Sequence, residues 1–375
     1  MNTLSEANGT FAIQLLKHLG QKDPVHNVFL SPVSISSALG MVLLGAKGNT
    51  ASQIVQALAL NAEEDIHGGF QSLLAQVHRT GAPYSLIIAN RLFGEESCQF
   101  LSSFRESCQN FYQAELERLP FAKDSLICKR HINAWVSRKT EGKVQKMLTD
   151  VSIDELCRLF LINAVYFKGR WKEQFKKSST SEMTFKINQE KRRPVQMMFQ
   201  EGMFPWAHVS EVGAQVLELP YEGQELSMIL LLPDKGVDLS MVEKALTFEK
   251  FQAWSSSEHM KSTQVEVSLP RFKLQEEFDL VSVLQALGVV DAFRPDKADL
   301  SGILPDSGLC LTRVVHKSMV EVNEEGTEAA AALACKTVCF YGVRGPVFCA
   351  DRPFLFFIRH NRTNILLFCG KFSSP

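Results

Sequence analysis

Residues 323–348 read NEEGTEAAAALACKTVCFYGVRGPVF, and the conformation of this stretch decides how the rest of the chain is understood. Thr327 followed by Glu328 and four alanines can begin a helix, because threonine caps helices and alanine has the best helix propensity. A period of two divides the same residues differently. Thr327, Ala329, Ala331, Leu333, Cys335 and Thr337 are small or apolar, whereas the alternate set holds Glu328 and Lys336. As a strand, the segment would bury one face and keep its charges on the other. Small side chains would let it slip between existing strands, with Gly326 as a pivot at its start. A segment able to be a loop in one state and a central strand in another has the pattern of a conformational switch.

Outward from this stretch, nothing marks a domain boundary. The chain has 375 residues, 45% hydrophobic and 22% charged, with no linker, repeat or low-complexity block. It is read as one unit, 1–375, large enough to bury a sizeable core without disulfides or metals. Net charge is -1, from 40 basic and 41 acidic residues, which gives no basic surplus for nucleic acid or an anionic membrane. The basic runs Lys176-Lys177 and Lys191-Arg192-Arg193 lie in polar sequence and read as solvated loops. The opening residues carry Glu6, lack a basic start and have no unbroken apolar core, unlike a secretory signal. Ser5 is expected to cap a first helix whose apolar face is Phe11, Leu15, Leu16 and Leu19. No apolar run reaches the roughly 20 residues needed to span a bilayer. Nine irregularly spaced cysteines suit reduced thiols, and the expected location is the cytoplasm. There Asn8-Gly9-Thr10 and Asn361-Arg362-Thr363 would stay unglycosylated.

Apolar periodicity predicts helices around 50–60, 66–78, 102–113 and 128–148, with a buried strand over 84–93. Beyond about 157, runs such as RLFLINAVYF, AQVLELPY, LSMILLLP and TQVEVSLPRF are strand-like, and most end at Pro or Gly. A helix is expected over 277–287, before a turn at Gly288, and core strands over 347–372. Helices first and strands later indicate an α+β protein with a large mixed or antiparallel sheet.

Enzyme signatures fail one by one. There is no Gly-x-Ser-x-Gly elbow, His-Glu-x-x-His helix or Cys-x-x-Cys pair. Cys335 and Cys339 lack partners for a tetrahedral metal set, so neither metal nor cofactor is expected. Gly40–Lys47 imitates a phosphate loop, but Ala46 stands where lysine is needed and the intervening residues are apolar.

Several motifs at consistent spacing resemble the serpin family. Glu324-Glu325-Gly326-Thr327-Glu328-Ala329-Ala330-Ala331-Ala332 is similar to the hinge of inhibitory members. Residues 27–51, NVFLSPVSISSALGMVLLGAKGNTA, resemble the family's second-helix region. Residues 161–175, LINAVYFKGRWKEQF, resemble its sheet strand and following turn, and 315–327, VHKSMVEVNEEGT, the strand leading into the loop. Residues 348–372 look like its C-terminal strands. The likeness runs the length of the chain and points to the intracellular, ovalbumin-like branch, close to the granzyme-inhibiting members. It implies a single α+β serpin domain, with helices packed around three β-sheets and an exposed reactive-centre loop over about 324–346.

The same resemblance assigns roles. Trp171 corresponds to the aromatic beneath the point where the loop enters the sheet, with Glu324 at the loop's base. Ser31, Ser34, Asn163 and His316 match the polar cluster where the sheet parts; for His316 the plainer reading is a hydrogen-bonded core histidine. Family spacing counted from Gly326 puts the attacked bond between Phe340 and Tyr341, while counting back from Phe348 gives Cys339. Phe340 is preferred because the inserting portion must keep its length. An aromatic there suits a chymotrypsin-like slot, and the acidic residue expected for granzyme B is absent. The implied activity is suicide inhibition of a serine protease by a monomer that forms a covalent acyl complex. Inhibition of a papain-like cysteine protease, or a non-inhibitory role, remains the alternative.

Overall fold

The computed structural model describes residues 2–22, 24–78, 81–148, 158–305, 308–327 and 345–375. Its helices are α1 (Asn2–Lys22), α2 (Pro32–Leu43), α3 (Gly48–Ala57), α4 (Ile66–Val77), α5 (Ser102–Tyr112), α6 (Ser125–Lys139), α7 (Leu239–Ala245), α8 (Phe248–Trp254) and α9 (Val281–Ala286). The first six strands are β1 (Val28–Leu30), β2 (Tyr84–Glu95), β3 (Glu115–Leu119), β4 (Leu159–Arg170), β5 (Ser181–Lys186) and β6 (Arg192–Val209). The later strands are β7 (Ala214–Pro220), β8 (Leu226–Pro233), β9 (Lys261–Pro270), β10 (Phe272–Asp279), β11 (Arg313–Asn323), β12 (Gly326–Thr327), β13 (Val347–Cys349), β14 (Phe354–His360) and β15 (Ile365–Phe372).

One sheet runs β10-β11-β12-β4-β2-β3. The other strands form a continuous network that divides along the long β6. Its Met197–Trp206 portion pairs with β9, which carries β13, while Trp206–Val209 pair with β7. The β7 side continues through β8, β14 and β15 to β1, so three sheet surfaces result, two of them sharing one strand.

Burial explains the unbroken apolar runs. On one face of β4, Leu161, Val165 and Phe167 join the main core. On the other, Phe160, Ile162 and Ala164 pack with Ile132, Trp135 and Val136 of α6 and with Val144, Met147 and Leu148 beyond it. A strand covered on both sides loses the usual alternation. Helix α2 is likewise buried at every position, and Ser31 caps it ahead of Pro32, whose fixed φ suits a first helical turn.

Four local expectations need correction. Ser5 lies inside α1, which starts at Asn2, so it is not the cap; the apolar face of Phe11, Leu15, Leu16 and Leu19 is buried as expected. The helix expected over 277–287 shrinks to Val281–Ala286, because residues through Asp279 pair with β11 as the end of β10. The helix expected over 128–148 ends at Lys139, where Thr140 turns the chain and Glu141 and Gly142 adopt positive φ. Arg192 and Arg193 open β6 rather than lying in a loop, although both stay exposed. No described helix is long and apolar enough to cross a membrane, and no described cluster could hold a metal ion.

Candidate functional site

Strands β11 and β4 are parallel neighbours only over part of their length. They pair from Arg313 opposite Phe160 to Met319 opposite Tyr166. Beyond that point they separate, and β12 fills the notch. Gly326 and Thr327 lie antiparallel to both neighbours, Thr327 between Val322 and Gly169 and Gly326 between Asn323 and Arg170. The segment that reads as a switch therefore begins inside the sheet.

Gly326 has φ +148, and a Cβ there would lie 2.1 Å from the Gly169 carbonyl oxygen, so only glycine fits so close a backbone. Thr327 is fully buried, and its hydroxyl is 2.9 Å from that of Tyr221. Burial raises the Tyr221 pKa, which keeps the phenol neutral beside the loop. Trp171 stacks on Tyr221, with ring centroids 4.7 Å apart and planes at 19°. Its indole N–H donates to the Asn323 carbonyl at 3.0 Å and its backbone N–H to the Glu325 carbonyl at 3.0 Å.

The two acidic residues ahead of the pivot are buried, at 3% and 6% exposure, and both are neutralised. Glu324 accepts from Thr180 Oγ1 at 2.7 Å and lies 3.6 Å from Arg271 Nε. Glu325 pairs with Lys177 at 2.8 Å, so half of the Lys176-Lys177 run serves as a counter-charge rather than a free loop charge. Opposing charge and hydrogen bonds make burial of such carboxylates tolerable.

Lower in the sheet, His316 faces Asn163 across the β11–β4 pair. The Ser31 backbone N–H donates to His316 Nε2 at 3.2 Å, so Nδ1 carries the ring proton and donates to Asn163 Oδ1. Asn163 Nδ2 then donates to the Ser34 carbonyl at 3.1 Å and to Asn90 Oδ1. Asn90 donates to Ser37 Oγ at 3.0 Å, and Ser31 Oγ to the Leu367 carbonyl at 2.7 Å. Burial lowers the His316 pKa to about 3, and the donor facing Nε2 also suits only the neutral ring. The cluster clamps α2 to the two strands and can supply or accept several hydrogen bonds if they move apart.

Ser31, Ser34, Asn163 and His316 thus come together at mid-sheet, and Trp171, Glu324, Glu325, Gly326 and Thr327 at its upper end. Glu328, Ala329, Ala330, Ala331, Ala332 and the bait residues Phe340 and Tyr341, with Cys335 and Cys339, lie outside the described residues. Sequence reasoning missed Asn90, Ser37, Tyr221, Thr180, Lys177 and Arg271. Asn90 could have been noticed as the one amide in the run YSLIIANRLF; the others carry no local signal.

The fold and this site together are those of an α+β protein whose six-stranded sheet holds a two-residue strand between β11 and β4. The sequence model of the family described as "Serpin (serine protease inhibitor)" matches residues 6–375, and the chain belongs to the serpin family. Within it, the relatives are ovalbumin-like. Human Serpin B9 is 63% identical over 376 residues and human leukocyte elastase inhibitor 46% over 380, each with full coverage of both chains. The crystal structure of uncleaved ovalbumin superposes with a TM-score of 0.90 at 33% identity, covering both chains completely. Its named relatives include protease inhibitors.

Proposed function

We propose that this chain is a single-use inhibitor of serine proteases, with Phe340-Tyr341 as bait for a chymotrypsin-like specificity slot. The observation that carries the reading is β12: Gly326 and Thr327 already occupy the gap between β11 and β4. In this scheme the protease serine attacks the Phe340 carbonyl and expels the Tyr341 amine, leaving an ester to the enzyme. Cleavage frees residues 328–340 to continue β12 down the sheet, carrying the tethered protease to the far end before water reaches the ester. About ten new strand hydrogen bonds at roughly 1 kcal/mol each give on the order of 10 kcal/mol, comparable to the 5–15 kcal/mol that holds a protease domain folded. The chain does not turn its target over. The six cysteines among the described residues are free thiols, which supports a cytoplasmic setting.

Mixing the purified chain with a chymotrypsin-like protease tests this reading. An SDS-resistant complex and a released C-terminal peptide beginning at Tyr341 are expected. A peptide beginning at Phe340 would move the bait to Cys339, and cleavage without any complex across a protease panel would remove the inhibitory reading.

A further inference from the structure

The pair Lys176-Lys177 has a second property besides its counter-charge. Two places beyond it stands Ser179, and no other adjacent pair of Lys or Arg in the chain leads to a serine or threonine at that spacing. Lys129-Arg130 leads to Ile132, Arg138-Lys139 to Glu141, and the run Lys191-Arg192-Arg193 to Pro194 and Val195. Basic residues two and three places ahead of a hydroxyl suit a kinase with an acidic cleft, because such enzymes choose substrates by charge pattern. Lys176 and Ser178 are exposed, the Lys177 side chain is 71% exposed, and Ser179 is half-buried. Lys177–Ser179 form a single 3-10 turn in the connection from β4 to β5. The Ser179 N–H donates to the Lys176 carbonyl at 2.9 Å and the Thr180 N–H to the Lys177 carbonyl at 3.2 Å, so these bonds close within the turn. The turn can open to an enzyme without breaking a strand pairing.

This turn also holds the hinge. Lys177 Nζ is 2.8 Å from Glu325, and Thr180 Oγ1 donates to Glu324 at 2.7 Å. Lys177, Thr180, Gln196, Arg271, Glu324 and Glu325 line one open polar cleft. We infer that Ser179 is a phosphorylation site for a serine/threonine kinase that selects basic residues, and that its phosphate releases the hinge. Ser179 Oγ takes the terminal phosphoryl group of a nucleoside triphosphate. The new O–P bond forms as the bond to the departing diphosphate breaks, and the hydroxyl proton passes to the kinase's carboxylate base. The product carries up to about two negative charges beside Thr180 and two places from Lys177. It competes with Glu325 for the Lys177 ammonium and repels Glu324 across the Thr180 contact. A buried carboxylate deprived of its counter-charge is destabilising. Both carboxylates directly precede β12, so Gly326 and Thr327 lose part of what seats them between β11 and β4.

The effect on trapping rests on the inhibitory reading, whereas the modification and its effect on stability do not. The intact chain and a Ser179→Ala variant would be incubated with ATP and a panel of kinases that select Lys or Arg at these two positions. Phosphopeptide mapping, melting and protease trapping would follow. The wild type should take up phosphate at Ser179, melt about 3 °C lower and yield more chain that is cut but not trapped. Ser179→Ala, treated alike, should melt and trap as the unmodified wild type does. A phosphorylated Glu325→Gln chain should lose most of the fall in melting temperature, and an equal fall there would overturn release through the Lys177–Glu325 pair. No phosphate at Ser179, or a modified chain that melts and traps as before, would overturn the inference and spare the inhibitory mechanism. A wild type that traps no protease before modification would overturn that mechanism instead, while phosphate uptake and the melting shift would still decide the site.

Discussion

A threonine hydroxyl 2.9 Å from a buried tyrosine fixes how the loop begins. Thr327 is uncharged, compact and able to satisfy its one polar group inside the sheet, which few side chains at a strand insertion point can do. An arginine in its place would carry a charge into a fully buried site, at a cost of several kcal/mol. Thr327→Arg should therefore leave the bait cleavable but abolish trapping. Gel analysis with excess protease would show a cleaved chain and no covalent complex; complexes at wild-type yield would contradict this role for Thr327. The importance of Gly326 and Thr327 is legible in sequence, because the period-two pattern starts there. Tyr221 and Trp171 are less so. Trp171 is assigned through family likeness, and Tyr221 not at all, since an aromatic at the end of a strand run looks the same whether it packs in a core or supports a loop.

At the level of elements, the clasp between α2, β4 and β11 should respond to pH. His316 binds a proton readily when the chain is unfolded but only near pH 3 when it is buried. Between its ordinary value of 6.5 and about 3 the unfolded state holds more protons. Stability from this group is therefore complete above pH 6.5 and is lost as pH falls through that window, by up to about 1.4 kcal/mol per unit. His316→Gln should flatten the fall of the urea midpoint over this range; an unchanged profile would show that other groups dominate acid unfolding. The alanine run also gains an explanation at this scale. Continued in its observed register, β12 would put Leu333 opposite His316 and Asn163 on the core face. Ala332 and Ala334 would lie opposite Ala164 and Ile162, beneath α6. The sequence pattern suggests that the second face is solvated, but α6 covers that part of the sheet. Small side chains at 330, 332 and 334 thus suit the covered face, while Glu328 would fall opposite Lys168 at its open end and Lys336 opposite the buried Phe160 at the other. That constraint depends on a helix more than 190 residues earlier in the chain, so local periodicity could not show it.

Over the whole molecule, composition and pattern already specify an α+β protein with helices early and strands late, and that order holds. What they lack is connectivity: β15 beside β1, β11 beside β4, and a two-residue strand in the notch above them. These pairings join distant segments and are fixed by tertiary packing rather than by propensity. They also leave the sheet incompletely closed, with seven β11–β4 residue pairs below the notch in positions that an inserted strand would have to separate. The measurement that tests this most directly is the melting temperature of the chain before and after a single cut in the loop by a protease it does not trap. Filling the notch with about ten further hydrogen bonds predicts a rise on the order of 10 °C or more. A cut chain that melts at the same temperature as the intact one would mean that the loop does not enter the sheet, and would contradict the mechanism.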